Sequence, residues 1–458
     1  MNFLNKRASN KDIGRIGVFF LAALTLVACS TSAPSPSRGP VIASPSEQEV
    51  IQRPAPGDEQ TQAPAREREN YDRRGYVRPR HFDGDAPVRV GLLLPFSVSS
   101  EGAQKIASAM FDAAQLAAFD AGDDRFLIIP KDTRGTAEGA AAAARSALRD
   151  GAEMLVGPLF SESVAAAAVV ARTARTPMIA FSSNLEVAGD GVYLLSFPPE
   201  LEIERVTEYA VDQNLSRFGV LATQTKYGDR VSTSFSQEVF VRGGVIVHEE
   251  RYVQDPDAML EPAKRLARYS KDIIPKELRH GFDPDDPAAA NVNDGGYTRG
   301  YQAVLMPEQG TLLRALAPLL PYYNVNINQV KLLGVSSWNN PRLTREPALR
   351  GGWFAAPDPA ISRSFENRFA SAFGSPPPRL ASLSYDAALL AARLAKNERK
   401  RNRFSVDGIT DPNGYFGADG LFRLNPDGSI ERGLAILEIQ PDGIKVIDPA
   451  PRSFAAGF

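Results

Sequence analysis

Cysteine occurs once among the 458 residues and histidine three times, as His81, His248 and His280. One cysteine forms no internal disulfide, so stability must come from hydrophobic cores, which a chain of this length can build. The histidines lie far apart in sequence, whereas the usual zinc sites need histidine or cysteine at short paired spacings. We therefore expect neither a metal nor another cofactor.

Enzyme signatures are also lacking. The sequence contains no G-x-S-x-G elbow, no S-x-x-K or K-T-G motif, no Walker loop and no dinucleotide fingerprint. The acidic run "DPDDP" at 283–287 lies in a stretch broken by proline between His280 and Tyr301, which predicts an exposed loop. We predict that the protein is not an enzyme, although a carboxylate pair facing a cleft stays open as an alternative. A net charge of −2 argues against nucleic acid as a partner.

The single cysteine, Cys29, follows a basic segment and the apolar run "IGVFFLAALTLVA" at 16–28. Basic, apolar and small residues in this order are typical of a secretory signal, and the run is short for a membrane span. The end of the run, "LVAC", resembles the bacterial lipobox. This resemblance implies that residues 1–28 are removed and that Cys29 is acylated, and several acyl chains would hold the protein on a membrane. A simple secretory signal and a buried cysteine are the alternatives.

Residues 29–87 are polar and rich in proline, and they lack apolar periodicity. Such a segment buries too little apolar surface to offset its ordering entropy, so we predict a disordered tether. The tether ends in the Arg-rich stretch "REREN YDRRGYVRPRH", which is read either as a solvated linker or as a contact with anionic lipid or cell-wall polymer. Ser30 follows Cys29, where aspartate is the usual inner-membrane retention mark in enteric bacteria, and this favours the outer membrane.

Apolar strand patterns and amphipathic helix patterns alternate from residue 88 onward. The segments "VRVGLLLPF", "RFLIIPKDT", "AEMLVGPLF" and "TPMIAFSS" are typical of buried parallel strands, and helical patterns separate them. The same rhythm restarts at "RFGVLATQT". Alternation of this kind predicts doubly wound, mostly parallel sheets. The segment of about 370 residues is longer than a chain that usually folds around a single hydrophobic core, so we predict two lobes.

The order of "VRVGLLLPFS", "LVGPLFS", "TPMIAFSSN", "KYGDR" and "SYDAALLAA" resembles the type I periplasmic binding proteins, the fold of branched-chain amino-acid receptors. The resemblance implies three crossings of the chain between the lobes. It places 88–198 and 358–402 in the first lobe, and 199–357 and 403–458 in the second.

With the lipobox and the tether, the chain resembles the penicillin-binding protein activators, which are outer-membrane lipoproteins with this fold. The resemblance implies a periplasmic regulator on the outer membrane that binds and activates a peptidoglycan synthase. The alternative is a solute-binding receptor for amino acids, small peptides or wall fragments, used in uptake or sensing. A muropeptide in the cleft is a further hypothesis for either function.

In small-molecule receptors of this fold, hydroxyl and backbone N–H groups at the carboxyl ends of first-lobe strands hold the ligand carboxylate. The resemblance assigns that role to six residues. These are Ser97, Ser161, Ser182, Ser183, Asn184 and, on the opposing lobe, Tyr227. Helix capping is the alternative role for Ser161 and Ser183.

Amino-acid receptors also carry a second-lobe carboxylate that pairs with the ligand ammonium. In this sequence the corresponding stretch reads "GVSSWNN" and contains no acid, and Glu308 is the only substitute that we name. The basic run "KNERKRNR" at 396–403 follows a predicted helix, where cations stabilise the helix dipole, so the run is explained equally well by structure and by a binding patch.

Overall fold

The computed structural model describes residues 87–270, 300–397, 399 and 402–454. The predicted signal peptide, Cys29, the tether up to residue 86 and the acidic loop at 283–287 lie outside the described residues. None of the described helices is long and apolar enough to cross a membrane.

The first lobe is built from alternating strands and helices. Its strands are β1 (Val88–Leu94), β2 (Phe126–Asp132), β3 (Ala152–Val156), β4 (Met178–Ala180) and β5 (Val192–Leu194), and its first three helices are α1 (Glu101–Ala121), α2 (Ala137–Arg149) and α3 (Ser161–Thr173). The strands form a parallel sheet in the order β2-β1-β3-β4-β5. Every residue of β1 is buried because helices cover both faces of a sheet of this kind.

The chain then enters the second lobe at Pro199. The elements there are α4 (Pro199–Asp212), β6 (Arg217–Thr223), α5 (Lys226–Val241), β7 (Val245–Tyr252), α6 (Leu260–Ala267), β8 (Ala303–Leu305), α7 (Gly310–Leu316), α8 (Leu319–Tyr322), β9 (Lys331–Gly334) and β10 (Trp353–Ala356). Their buried side chains form a second hydrophobic core, which runs from Ile203 to Ala356 along the chain and is separate from the core around β1.

The chain returns to the first lobe after β10. This segment contains α9 (Pro359–Phe373), α10 (Ala381–Ala395), α11 (Val406–Ile409), β11 (Tyr415–Gly417), β12 (Gly420–Leu424) and β13 (Ile430–Arg432). Tyr415, Phe422 and Ile430 pack in the same core as β1, whereas Leu434 packs in the second core. The third crossing therefore lies at 432–434, about thirty residues after the boundary that the sequence predicted at Arg403.

Strands β14 (Ala435–Gln440) and β15 (Gly443–Asp448) complete the second sheet. Its order is β15-β14-β10-β9-β8-β6-β7, with β6 to β10 parallel and the last two strands antiparallel to their neighbours. The predicted two-lobe architecture with mostly parallel sheets is confirmed. The carboxyl ends of β6 to β9 share one edge, where ligands bind in open α/β sheets.

Candidate functional site

A cavity of about 290 Å³ lies at the carboxyl edge of the second sheet. Most of the lining residues directly follow β6, β7, β8 or β9 in sequence, because the carboxyl ends of these four strands lie at the same edge of the sheet. The lining residues are Phe197, Pro199, Glu202, Tyr227, Gln254, Pro307, Glu308, Gln309, Val335, Ser336, Ser337 and Arg379. Arg379 comes from the first lobe, between α9 and α10, so both lobes contribute to the cavity.

Glu202 supplies the carboxylate that the "GVSSWNN" stretch lacks. It lies in the first turn of α4 and is 7% exposed. The backbone N–H and the hydroxyl of Ser336 donate to its two oxygens at 2.8 and 2.6 Å. Burial raises the pKa of Glu202 to about 6, although the hydrogen bonds from Ser336 oppose the shift. The stretch itself contains no acid, but Glu202 reaches it from a helix 134 residues earlier in the sequence.

Glu308 is a second buried carboxylate on the same cavity, at 3% exposure. The Tyr252 hydroxyl donates to Oε2 at 2.9 Å, and the Gln309 N–H donates to Oε1 at 3.0 Å. The indole of Trp338 donates to the Glu308 carbonyl at 3.1 Å, which fixes the backbone as well. Each carboxylate oxygen keeps lone-pair capacity beyond these single bonds, so Glu308 can accept from a ligand.

Tyr227 is the one member of the sequence-predicted set that lines this cavity. It lies in the first turn of α5, directly after β6. Burial raises the pKa of its hydroxyl above the usual value of 10, and the charges of Glu202 and Glu308 raise it further. The hydroxyl therefore stays protonated and can donate to a ligand at neutral pH.

Arg379 is the only cation among the lining residues. Its Nη1 donates to Ser382 Oγ at 3.1 Å and to Asp419 Oδ2 at 2.8 Å, and its guanidinium lies 3.5 Å from the centre of the Phe197 ring. Nε and Nη2 form no hydrogen bond within the described residues, so they are available to an anion. The cavity thus has carboxylates on its second-lobe side and a guanidinium on its first-lobe side.

Arg379 also belongs to a cluster of four charged residues, which we call the crossing cluster: Asp386, Asp419, Arg379 and Arg432. The two carboxylates of this cluster are buried, whereas the side chain of Arg379 is 45% exposed. Arg432 lies at the third crossing, and its Nε donates to the Ser196 carbonyl in the first crossing at 2.7 Å. Asp386 is 1% exposed and accepts the Ala418 N–H at 2.6 Å. Burial raises the pKa of Asp386 to about 7, and the charge of Asp419 adds to the rise. Through Arg379 and Arg432, the crossing cluster links the cavity to the first and third crossings between the lobes.

Four first-lobe residues of the predicted set lie together but outside this cavity. Ser161 is the first residue of α3 rather than its cap, and its Oγ accepts the Asn184 side-chain N–H at 3.1 Å. Ser182 Oγ accepts the Asn184 backbone N–H at 3.1 Å, and Asn184 itself caps the short turn Leu185–Val187. These hydroxyls and amides are thus engaged with one another.

Ser183 is held by the second lobe. Arg230 of α5 donates to the Ser183 carbonyl at 2.9 Å and to its hydroxyl at 3.3 Å, and it also forms an ion pair with Glu200. A protein guanidinium therefore takes the acceptor atoms of Ser183. Neither Ser161 nor Ser183 serves as a helix cap, so the capping interpretation does not describe these two residues.

Ser97 is the remaining residue of the predicted set. It is exposed, its Oγ donates to Asp132 Oδ2 at 2.5 Å, and its N–H donates to Oδ1 at 3.2 Å. It follows β1 at the carboxyl edge of the first sheet, and it does not line the second-lobe cavity.

No group of three or more His, Cys, Asp or Glu side chains placed to hold a metal ion occurs in the described part of the chain.

Residues 87–266 match the model of a family described as periplasmic binding protein. Among solved structures, an ABC transporter substrate-binding protein from Sphaerobacter thermophilus is similar, with a TM-score of 0.59 and 18% identity over 80% of this chain and 98% of that one. The fold is that of the type I periplasmic binding proteins. A search of curated proteins finds no match.

Two further structures with this periplasmic binding protein fold contain ligands. A substrate-binding protein from Desulfitobacterium hafniense in complex with leucine has a TM-score of 0.53, with 17% identity over 79% of this chain and 100% of that one. A solute-binding protein from Rhodopseudomonas palustris in complex with 3,4-dihydroxybenzoic acid has a TM-score of 0.52, with 17% identity over 80% of this chain and 95% of that one. At these identities the similarity establishes the fold alone.

Proposed function

We propose that the two-lobe domain binds a small zwitterionic solute of the amino-acid type in the cavity at the carboxyl edge of the second sheet. The observation that carries this proposal is the separation of charge, with Glu202 and Glu308 on one side and Arg379 on the other. A ligand ammonium would lie near the two carboxylates, and a ligand carboxylate would take the Nε and Nη2 donors of Arg379.

The cavity is suited to discriminate between charged and neutral solutes. The two carboxylates are buried and held by protein donors, so they need no reorganisation when a cation arrives. An uncharged ligand would leave the buried charges of the two carboxylates without a counter-charge from the ligand, which is costly. We therefore expect binding to require both ends of the zwitterion.

The test uses three probes of matched shape: leucine, 3-methylbutylamine and 4-methylpentanoate. We expect calorimetric titration of the full chain to detect leucine and to find the two single-charge probes at least tenfold weaker. Glu202→Gln should weaken leucine binding at least tenfold at pH 8 because it removes one carboxylate partner of the ammonium. Glu208→Gln, on the exposed side of the same helix, is the control and should change affinity less than twofold.

Leucine binding should also strengthen as pH rises from 5 to 7, because Glu202, with a pKa of about 6, then becomes negatively charged. This pH dependence should vanish in Glu202→Gln. Equal binding of all three probes, or an unchanged affinity in Glu202→Gln, would refute the proposed charge recognition.

The second candidate function is activation of a peptidoglycan synthase by a periplasmic lipoprotein anchored to the outer membrane through Cys29. The sequence around Cys29 and the tether support it. The engagement of Ser183 by Arg230 also favours it, because the first-lobe atoms expected to hold an amino-acid carboxylate already have a protein partner.

This candidate is tested with synthase activity on lipid-linked precursor in reconstituted membranes. The full chain is expected to stimulate the synthase several-fold, and Cys29→Ser is expected to leave the membrane and lose that stimulation. Addition of leucine or a muropeptide to the assay separates a ligand-regulated activator from a plain receptor. No stimulation of any synthase from the same cell would exclude activation and leave the receptor proposal standing.

A further inference from the structure

A second polar cavity lies in the first lobe, away from the proposed solute site. It has a volume of about 260 Å³ and is formed where the end of α10 meets the loop before α11 and the start of β11. Its lining residues are Arg393, Leu394, Asn397, Asn402, Arg403, Ser405, Gly408, Asp411 and Tyr415. Two guanidiniums and one carboxylate give this lining a net positive charge.

Arg393 has no anionic partner among the described residues. Its guanidinium lies 5.3 Å from the centre of the Tyr415 ring, and it forms no ion pair or hydrogen bond there. Arg393 lies in the last turn of α10, where a cation stabilises the helix dipole, but its guanidinium donates to no carbonyl in the described part of the chain. The donors of Arg393 are therefore available on the wall of the cavity.

Arg403 lies on the same cavity but is only 8% exposed. Its Nε donates to the Asn397 carbonyl at 2.8 Å, and its Nη1 lies 3.4 Å from Glu153 Oε2. These contacts fix the guanidinium and leave Nη2 without a partner in the described part of the chain. Glu153 thus compensates the charge of Arg403, whereas Arg393 is exposed and has no counter-charge among the described residues.

Asp411, the one acid among the lining residues, pairs with neither guanidinium. Asp411 Oδ1 accepts the backbone N–H and the side-chain N–H of Asn413, at 2.9 and 3.0 Å, and it forms no ion pair with a described residue. The remaining polar groups are amides and hydroxyls, which can donate to an anion. Donors on several sides of a compact cavity suit the tetrahedral oxygens of a phosphate better than a planar carboxylate.

We infer that this cavity is a phosphate-binding site, in which Arg393 and Arg403 pair with the phosphate oxygens and Asn402 and Ser405 add hydrogen bonds. The proposal is independent of the solute site. The same phosphate chemistry is found in free inorganic phosphate and in phosphodiester groups of lipids or polyol polymers, and the two sources are separated by the choice of probe.

The basic run at 396–403 contains some residues that line the cavity and others that do not. It therefore offers a control that separates binding in the cavity from nonspecific attraction between an anion and surface cations. Lys396 donates to the Ala121 carbonyl at the end of α1, at 3.3 Å, so part of the run has a structural role. Arg399 is exposed and does not line the cavity. Arg393→Gln and Arg399→Gln therefore remove the same charge within one segment, but only the first removes a donor from the cavity.

The experiment titrates the full chain with inorganic phosphate, with glycerophosphoglycerol as the phosphodiester probe, and with acetate. We expect at least one phosphate probe to bind and acetate to bind at least tenfold more weakly. Arg393→Gln should weaken phosphate binding at least tenfold, and Arg399→Gln less than twofold. Asn402→Asp, which adds a negative charge to the lining, should also abolish binding. Preference for inorganic phosphate would identify a free anion as the ligand, and preference for glycerophosphoglycerol would identify a phosphodiester group.

Several results would overturn the inference. These are no binding of either phosphate probe, equal losses in Arg393→Gln and Arg399→Gln, and equal affinity for acetate. Arg393 forms no ion pair with a described residue, so Arg393→Gln is expected to retain the wild-type melting temperature, and leucine binding serves as a check on its fold. Loss of phosphate binding with leucine binding intact separates this site from the proposed solute site.

Discussion

Replacing Gly334 by alanine is expected to cost at least about 3 kcal/mol of stability, because the added carbon overlaps a buried indole. A Cβ at residue 334 would lie 2.1 Å from Cδ2 and 2.3 Å from Cε2 of Trp338. Trp338 is fully buried. The strand cannot move away easily, since Gly334 is paired with Phe354 of β10 in the middle of the second sheet.

The same substitution should weaken the solute site. The Trp338 indole donates to the Glu308 carbonyl, so displacement of the ring releases the loop that carries one of the two carboxylates. Urea unfolding measures the loss of stability, and leucine titration measures the loss of affinity at temperatures where the variant is still folded.

The matched control is Gly102→Ala in α1. A Cβ there would meet nothing closer than 3.8 Å, and alanine is favoured over glycine within a helix by about 1 kcal/mol. Gly102→Ala should therefore be neutral or slightly stabilising. A change smaller than about 1 kcal/mol in Gly334→Ala would mean that the close packing of Gly334 on Trp338 is not maintained in solution.

Most of the fold can be predicted from the sequence because β1, β3 and β4 are short, largely buried apolar runs and because helical patterns alternate with most of the strands. The third crossing was predicted too early because β11 to β13 are short antiparallel strands. Asp419-Gly420 and Asp427-Gly428 are typical hairpin turns, and they are the signal that could have revealed these strands. Strand pairing alone would still not show on which lobe the small sheet packs.

The candidate site was harder to predict than the fold. Tyr227 was predicted from the resemblance, through the motif "KYGDR" that follows the first strand of the second lobe. Glu202 was missed because it lies on a helix, and its contact with Ser336 joins residues far apart in sequence. The first-lobe serines have the residue types expected of a ligand site, but sequence does not show that Asn184 and Arg230 occupy their hydrogen-bonding atoms.

Replacing Asp419 by asparagine is expected to cost about 3 kcal/mol, because it removes a buried negative charge from between guanidiniums of the crossing cluster. Asp419 is 5% exposed and accepts from Arg379 at 2.8 Å and from Ser362 at 3.2 Å. Burial alone would raise its pKa, but the charges of Arg379 and Arg432 lower it below 3.8. Arg432 would stay buried with only Asp386 as a nearby counter-charge.

Asp386→Asn is the matched comparison, and its effect should depend more strongly on pH. The pKa of Asp386 is raised from 3.8 to about 7 in the folded protein. Between these values the folded state binds more protons than the unfolded state, so this group makes wild-type stability fall as pH rises. Asparagine removes that loss, and the stability of Asp386→Asn relative to wild type should therefore rise between pH 4 and 7 and stay constant above.

Asp419 gives the reverse linkage because its pKa is lowered in the folded protein. Its own contribution is present above pH 3.8 and is lost only as pH falls through the folded pKa. The charge of Asp419 also raises the pKa of Asp386, so Asp419→Asn should lower that pKa, and the deficit of the variant should shrink as pH rises from 5 to 7. Urea unfolding of wild type and both variants at pH 5, 6, 7 and 8 measures the two differences. Other titrating groups, including Glu202, contribute equally to each chain and cancel in these differences.

The same variants also test whether ligand binding in the cavity is coupled to the ion pairs of the crossing cluster. Arg379 belongs to both, so a ligand carboxylate that pairs with Arg379 competes with Asp419 for the same guanidinium. Leucine should then stabilise Asp419→Asn by more than it stabilises wild type, because the variant removes the carboxylate partner of Arg379. An identical ligand-induced shift in both chains would show that Arg379 serves the crossing cluster alone and that the ligand carboxylate is held elsewhere.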